Sequence, residues 1–348
     1  MKNKFSLIIL VIVLLLITGC DSNGEETANE EASGSNSKQI RIAYNLPSEH
    51  ATGVYFEVLA DEISKRTKNT SIHLKPQTFP NGQLYNDSEL PDALSTGGVE
   101  IGQINIGFLA SSEAEPLRIV DLPFIFSSWE AEWAAEDGEY GEIFGEQFEK
   151  MGMKLLGWSM YGTVEVYGNE PIKVPEDLKG KKMRAFGQGS AKFLEEIGAS
   201  PVSISSQEIY QSMEHGTIDG FMTGPSSVVD RSLHEVSKYG TNMAINYIPF
   251  PATANLEWWN SLPEDVQSAV IEASKIAQEK SRQVAKESDK EYKQKLKELG
   301  VEVYEPTEEE YEEWVEASSQ RREEYVEQNG ELGQKLLDIV DTMNEKYP

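Results

Sequence analysis

The stretch LKGKKMRAFGQGSAKFLEEIGA at residues 178–199 has the pattern of a short strand, a tight turn and a helix. A strand is predicted over Lys182–Ala185, and apolar residues at helical spacing predict a helix over about 190–197. Arg184 places a guanidinium at the end of this strand, facing the glycines of the turn. A strand followed by a helix is the repeating unit of α/β folds, so the neighbouring sequence decides the fold class.

The strand–helix unit recurs on both sides of this stretch. In the first part of the chain, strands are predicted at 38–44, 72–74 and 101–106, with helices at 54–66 and 83–97. The alternation begins again after about residue 160, with strands at 163–167, 182–185, 201–204 and 218–222 and helices at 190–197, 207–214 and 226–238. This alternation predicts an α/β fold with a mainly parallel sheet, arranged as two domains.

Longer segments complete the pattern. An acidic helix is predicted at 129–151 and a strand at 154–160, and residues 242–255 form an extended apolar stretch. Residues 263–299 predict one helix of roughly 54 Å at about 1.5 Å per residue, long enough to cross two domains. A coiled coil is the alternative for this helix, although its apolar positions keep no strict heptad. Two more acidic helices are predicted within 307–345.

The N-terminus has the features of an export signal. Lys2 and Lys4 precede an apolar run at 5–17, which is too short for a membrane span of about 20 residues. Small residues followed directly by Cys20 resemble the lipobox of bacterial lipoproteins. We therefore expect a signal peptide at 1–19 and a lipid on Cys20, the only cysteine. The alternative is an exported protein without a lipid.

Residues 20–38 are predicted to form a flexible tether after the lipidated cysteine. The sequence DSNGEETANEEASGSNS at 21–37 has no large apolar residue, which is typical of solvated linkers. The mature chain of 348 − 19 = 329 residues is long enough for two domains.

Composition argues against several function classes. Thirty-one Lys and Arg against 59 Asp and Glu give a net charge of −28, which argues against nucleic-acid binding. Four scattered histidines and one cysteine give no close pair of metal ligands. Neither GxSxG nor GxxxxGK[ST] occurs, and Lys192 stands where a GxGxxG motif needs its third glycine. We expect a binding protein rather than an enzyme, with no cofactor and no metal.

Short motifs in a fixed order resemble one protein family. They are PNGQL at 80–84, GVEIG at 98–102, DLPFIF at 121–126, DLKGKKMR at 177–184, GASPV at 198–202, EIY at 208–210, GTIDG at 216–220 and Trp259 with Leu262-Pro263 before the long helix. Together they resemble the solute-binding subunit of tripartite ATP-independent periplasmic (TRAP) transporters, over about 39–330.

The resemblance implies a periplasmic-binding-protein-like α/β fold with two lobes, a ligand cleft between them and one long bridging helix. By similarity, lobe one is 39–161 plus 249–288, and lobe two is 162–248 plus 289–348. The implied function is capture of a small organic carboxylate and its delivery to an ion-gradient-driven TRAP permease. The protein is then a monomer, anchored through Cys20 on the outer face of the cell membrane.

Arg184 matches the arginine that binds the ligand carboxylate in the family. A guanidinium is planar and can donate two parallel hydrogen bonds to a carboxylate, which a lysine cannot do. The alternative is a structural arginine. The resemblance also places other side chains at the ligand: Glu49, His50, Gln103, Asn105, Tyr161, Glu165, Ser206, Phe221 and Thr223. Val164 stands where dicarboxylate-binding and sialic-acid-binding relatives have a second arginine, so we expect one dominant carboxylate in the ligand.

Two other functions stay open at this stage. The same fold could pass its ligand state to a membrane sensor kinase, and the sequence does not separate this role from transport. An exported lyase or hydrolase acting on a carboxylate is the third possibility, and no motif supports it.

Overall fold

A computed structural model describes residues 36–348, and one mixed sheet organises them. The predicted signal peptide, Cys20 and most of the predicted tether lie outside the described residues. The nine strands are β1 (Ser37–Ala43), β2 (His73–Phe79), β3 (Ile101–Gln103), β4 (Met153–Gly168), β5 (Lys182–Ala185), β6 (Ser200–Ser203), β7 (Gly220–Thr223), β8 (Tyr239–Asn255) and β9 (Glu302–Tyr304). Their order is β2-β1-β3-β8-β4-β7-β5-β6, and β9 pairs with β8.

The strand directions create a cleft. β1 is parallel to β2 and β3, which form the first strand group, and β5 is parallel to β6 and β7, which form the second. The long strands β4 and β8 join the groups: β8 is antiparallel to β3 and β4, and β4 is antiparallel to β7. The two groups therefore run in opposite directions, and their carboxyl ends face each other. Ligand sites in α/β sheets form at carboxyl ends of strands.

Eleven α-helices lie among the described residues. They are α1 (Ala51–Arg66), α2 (Leu90–Ser95), α3 (Trp129–Glu136), α4 (Glu139–Lys150), α5 (Gln188–Glu196), α6 (Ile209–Glu214), α7 (Pro225–Asp230), α8 (Leu256–Asn260), α9 (Glu264–Glu298), α10 (Glu308–Ser318) and α11 (Gln320–Lys346). None of the helices within 36–348 is long and apolar enough to cross a membrane.

The long helix α9 lies close to β4 because its buried face consists largely of small residues. Ser281 accepts a hydrogen bond from the backbone N–H of Met160 at 2.9 Å and donates one to the backbone oxygen of Ala51, also at 2.9 Å. Ser274 donates to the backbone oxygen of Leu156 at 2.7 Å. The bonds to Met160 and Leu156 satisfy backbone groups of β4, and the bond to Ala51 holds the start of α1, so α9 braces the segment that connects the two strand groups.

Each strand group has its own core. Ile40, Leu74 and Ile101 of the first group pack in a buried cluster that also contains residues of α1 and α9. Met183 and Ala185 of the second group pack in a buried cluster with residues of α5. Both groups are therefore stabilised by their own buried apolar area.

The structure confirms the predicted α/β fold and the single long helix, and it corrects four elements. The helix predicted at 226–238 is limited to α7, because the backbone of Ser232 is left-handed. The helix predicted at 83–97 is limited to α2, because the side-chain oxygen of Asn86 accepts the backbone N–H groups of Ser88 and Glu89 and forms a turn. The helix predicted at 129–151 is divided into α3 and α4 at Gly138, whose backbone is extended. The strands predicted at 154–160 and 163–167 form one strand, β4. The proposed lobe boundaries stay a prediction.

Candidate functional site

A cavity lies between the carboxyl ends of the two strand groups. The loops after β1 and β3 contribute to one side, and the ends of β5 and β7 with the turn into α7 contribute to the other. β4 and β8 form its base. Its lining residues are Asn45, Leu46, Asp87, Gln103, Asn105, Tyr161, Val164, Arg184, Phe186, Ser206, Thr223, Ser227, Arg231, Ile248 and Phe250.

Arg184 lines this cavity and is 2% exposed. Its Nε donates to the backbone oxygen of Ile204 at 3.1 Å, and its Nη1 donates to that of Met222 at 2.9 Å. Among the described residues no carboxylate pairs with it. Burial lowers the pKa of Arg184, and the nearby charge of Asp87 opposes this shift. A buried cation without a paired anion is energetically costly, so the fixed guanidinium favours an anionic partner in the cavity.

Tyr161 organises the second strand group's side of the cavity. The register between β4 and β8 shifts around Tyr161, and such bulges re-aim side chains. Its hydroxyl donates to Ser227 Oγ at 2.9 Å, accepts the backbone N–H of Gly224 at 2.8 Å and lies 2.9 Å from Thr223 Oγ1. With all these bonds made, the hydroxyl positions the turn after β7, and the ring faces the cavity.

Three further predicted residues, Gln103, Asn105 and Ser206, also line the cavity. Gln103 accepts the backbone N–H of Asn45 through Oε1, which leaves its amide nitrogen without an assigned acceptor among the described residues. Asn105 donates to the backbone oxygen of Phe186 at 3.3 Å. The structure thus brings together six of the predicted ligand residues, which are Arg184, Gln103, Asn105, Tyr161, Ser206 and Thr223.

His50 lies behind the cavity wall. It is 2% exposed, and its Nδ1 accepts the N–H of Thr52 at the start of α1. Its Nε2 therefore carries the proton and donates to Ser226 Oγ at 3.0 Å. Burial, aided by the charge of Arg231, lowers the pKa of His50 to about 3, so the ring is neutral. Glu49, the preceding residue, is exposed and does not line the cavity.

Glu165 and Phe221 are not brought to the cavity. Side chains alternate along a strand: Val164 lines the cavity, and Glu165 faces away, where its Oε1 lies 3.4 Å from Lys293 Nζ of α9. Burial raises the pKa of Glu165 to about 7, although Lys293 opposes the shift. Phe221 lies deeper in β7 than Thr223 and stacks on Tyr167, with 5.6 Å between ring centroids.

The sequence patterns did not predict two charged residues that line the cavity. Arg231, just after α7, supplies a second guanidinium, and its Nη2 donates to the backbone oxygen of Asn45 at 2.6 Å. Asp87 supplies a buried carboxylate. The expectation of a single arginine is therefore corrected. No sequence signal marked either residue, because tertiary packing alone brings the loop after β2 and the end of α7 to the cavity.

The glycines after Arg184 allow the two strand groups to come into close contact. A Cβ on Gly187 would lie 2.4 Å from the Cα of Gly107, and a Cβ on Gly189 would lie 2.3 Å from the Cβ of Asp121. These glycines allow backbone and side chains of the protein itself to approach.

Comparison with known proteins places the chain in a family. The family model described as bacterial extracellular solute-binding protein, family 7 (DctP), matches residues 42–329. The chain belongs to this family. The C4-dicarboxylate-binding periplasmic protein DctP of Rhodobacter capsulatus is 28% identical over 233 residues, which cover 66% of this chain and 68% of the relative.

Solved structures of other solute-binding proteins have the same two-lobe fold. A TRAP periplasmic solute-binding protein from Anaerococcus prevotii, with bound D-glucuronate, superposes with a TM-score of 0.83 at 25% identity, covering 89% of this chain and 99% of that one. The sugar acid binding protein DctPAm of Advenella mimigardefordensis, in complex with galactonate, has a TM-score of 0.82 at 25% identity and covers 88% and 99%.

Membership of family 7 shows that the protein is an extracytoplasmic solute-binding protein and not an enzyme. The predicted family and two-lobe fold are confirmed. Among residues 36–348, no group of three or more His, Cys, Asp or Glu side chains is arranged to hold a metal ion.

Proposed function

We propose that this family 7 protein captures a small organic carboxylate in the cavity and delivers it to a TRAP permease. The observation that carries the proposal is Arg184, a buried guanidinium that two backbone carbonyls hold at the cavity wall and that pairs with no carboxylate of residues 36–348. A ligand carboxylate would supply the missing charge and accept parallel hydrogen bonds from the fork.

The ligands named for the relatives support an acidic ligand, but these ligands belong to different chemical classes. The Rhodobacter capsulatus relative is named for C4-dicarboxylates, whereas the two solved structures hold glucuronate and galactonate. All of these molecules are carboxylates. The identity of this protein's ligand therefore has to come from its own cavity residues.

Hydrogen bonds across the cavity support a lobe-closing mechanism. With the proposed boundaries, lobe one at 39–161 plus 249–288 and lobe two at 162–248 plus 289–348, several bonds join the lobes. Gln207 donates to Asn45 Oδ1 at 3.1 Å, and the Ser206 N–H donates to Asp87 Oδ2 at 3.2 Å. His50 and Arg231 make two more such bonds. Ligand binding would favour this closed arrangement over an open one.

The proposal includes a monomer held by a lipid on Cys20, with residues 20–38 as a tether, at the outer face of the membrane. The lipobox-like sequence supports the anchor. Deletion of the gene should abolish ion-gradient-driven uptake of the ligand. Unchanged uptake would instead favour signalling to a sensor kinase.

A thermal-shift screen of organic acids tests the proposal, because a ligand that binds the native state raises Tm. We expect at least one carboxylate to raise the Tm of the wild type and to have no such effect on Arg184→Ala. Arg322→Ala is the matched control. Arg322 is 37% exposed, pairs with Asp341 and does not line the cavity. Carboxylate binding that Arg184→Ala leaves intact would contradict the assigned role.

A further inference from the structure

His50 connects the start of α1 to α7 through both of its ring nitrogens. Its Nδ1 accepts the backbone N–H of Thr52 at 3.1 Å, and its Nε2 donates to Ser226 Oγ at 3.0 Å. With the proposed boundaries, Thr52 belongs to lobe one and Ser226 belongs to lobe two. His50 does not line the cavity. Its contribution to ligand binding is therefore to join the two lobes, not to contact the ligand.

The hydrogen bonds of His50 require a neutral imidazole. The backbone N–H of Thr52 points at Nδ1, so Nδ1 has to offer its lone pair and cannot carry a proton. A doubly protonated ring would lose this bond and would place two N–H groups against each other. The ring is also 2% exposed, and a buried charge without a paired anion is costly. The closed arrangement therefore excludes the charged form of His50.

The elements packed around the ring do not offset a positive charge. Tyr161 of β4 and Tyr292 of α9 flank it, with 5.6 Å and 6.4 Å between ring centroids. Arg231, just after α7, adds a positive charge that acts on the ring. Asp230 accepts the hydroxyl of Tyr292 at 3.1 Å, and Glu49 is exposed. Among residues 36–348, no carboxylate pairs with the ring.

We propose that closure around a carboxylate expels a proton from His50, which makes ligand capture by this protein dependent on pH. In an open arrangement the ring leaves Ser226 and the guanidinium of Arg231, faces water and binds a proton at mildly acidic pH. Ligand binding favours the closed arrangement and has to remove this proton. His50 is thus a positioning residue that supports closure at neutral pH and opposes it in acid. The inference rests on the proposed function and adds its regulation by pH.

The sign and size of the effect follow from the two states of His50. Burial, and then the charge of Arg231, lower its pKa to about 3 in the closed arrangement, from an ordinary value of 6.5. The closed form binds protons less readily, so affinity is complete above pH 6.5 and falls about tenfold for each pH unit below it. At pH 5, His50 should therefore weaken binding about 30-fold, which is ten to the power 6.5 − 5.

The test compares the wild type with His50→Asn by calorimetry at pH 8, 6 and 5. Asparagine does not titrate, and its side-chain oxygen can still accept the N–H of Thr52, because asparagine is a favoured N-cap residue. The probe is whichever of D-glucuronate, D-galactonate, succinate and L-pyroglutamate raises the wild-type Tm most, in buffers without a carboxylate. The ratio of the two dissociation constants at each pH cancels the titration of the probe and of other buried groups such as Glu165.

The variant and the wild type should respond differently to acid. At pH 8, His50→Asn should bind the probe about 2- to 10-fold more weakly, because the hydrogen bond to Ser226 is lost. Between pH 8 and pH 5, the affinity of the wild type should fall about 30-fold relative to that of the variant. His215→Gln is the control, because His215 is exposed. Its affinity should follow that of the wild type at every pH.

A second measurement needs no substitution at His50. In NMR spectra of the ligand-free wild type, one histidine ring should titrate near its ordinary pKa of about 6.5. The same ring should stop titrating above pH 5 when the probe saturates the protein. This measurement decides the question even where His50→Asn does not fold.

Two results would overturn the inference. One is a ratio of dissociation constants that is the same at pH 8 and pH 5, or that changes in the opposite direction. The other is the absence of a histidine ring whose titration the probe suppresses. In both cases the proposed function stands as long as the wild type binds the probe at pH 8. A wild type that binds no carboxylate at pH 8 would instead refute the proposed function together with the inference.

Discussion

Substitution of Gly107 by alanine should weaken ligand binding without harming the fold. Gly107 follows β3, and its backbone meets Gly187 and Phe186 from the other strand group. A Cβ at Gly107 would lie 2.8 Å from the Cα of Gly187 and 2.9 Å from the backbone oxygen of Phe186. Ordinary contact begins at 3.4 Å, so the two strand groups would have to separate by about 0.6 Å at this point (3.4 − 2.8).

The magnitude follows from the cost of overpacking. Extra methyl groups in close-packed contacts cost about 1–3 kcal/mol, which corresponds to an affinity loss of about 5- to 150-fold. In the proposed lobe-closing mechanism this cost falls on the closed form, because the two backbones meet there. Each strand group keeps its own core, so thermal unfolding without ligand should change little.

Calorimetry with the carboxylate that most raises the wild-type Tm measures this effect. Gly145→Ala is the matched control, because a Cβ on Gly145 of α4 would meet nothing within 4 Å. Gly187→Ala should weaken binding further, since its Cβ would lie 2.4 Å from the Cα of Gly107. A Gly107→Ala protein with wild-type affinity would refute the claim that this backbone contact belongs to the ligand-bound form.

Two further substitutions probe β4, the strand that carries Tyr161 and Glu165. Tyr161→Phe leaves the buried N–H of Gly224 without its acceptor, so the free energy of unfolding should fall by about 1–3 kcal/mol in denaturant titration. Tyr239→Phe, whose hydroxyl has no assigned partner among the described residues, should change it little, and equal losses would argue against a special role for Tyr161. For Glu165, burial raises the pKa from 4.5 to about 7, so the native state holds a proton that the unfolded state releases, and stability present below pH 4.5 is lost as the pH rises to 7. Glu165→Gln should therefore gain stability relative to wild type across this range, and a pH-independent difference would contradict the assignment.

The sequence predicted local features well, because local patterns carry them. β5 matches its predicted bounds at Lys182–Ala185, and the Pro- and Gly-free segment after Pro263 forms α9 as expected. Arg184 was placed at a strand end, and strand ends line the cleft in this fold. These features depend on residues within a few positions of one another or on a motif.

The sequence did not predict the features that depend on tertiary packing. Asp87 follows an irregular loop and Arg231 follows a short helix, and each reaches the cavity through contacts with distant residues. Strand alternation predicts that the side chains of Val164 and Glu165 lie on opposite faces of the sheet. It does not predict which of the two faces the cavity. The contact of Gly107 with Gly187 joins loops 80 residues apart (187 − 107), and no local pattern marks it.

The affinity of Arg184→Lys for the screened carboxylate tests the central claim most directly. Lysine keeps the positive charge and loses the planar fork that two backbone carbonyls orient in the wild type. We predict that calorimetry will show Arg184→Lys to bind at least about tenfold more weakly than the wild type, with Arg184→Ala weaker still. Binding of Arg184→Lys with wild-type affinity would contradict recognition of the ligand carboxylate by the guanidinium fork.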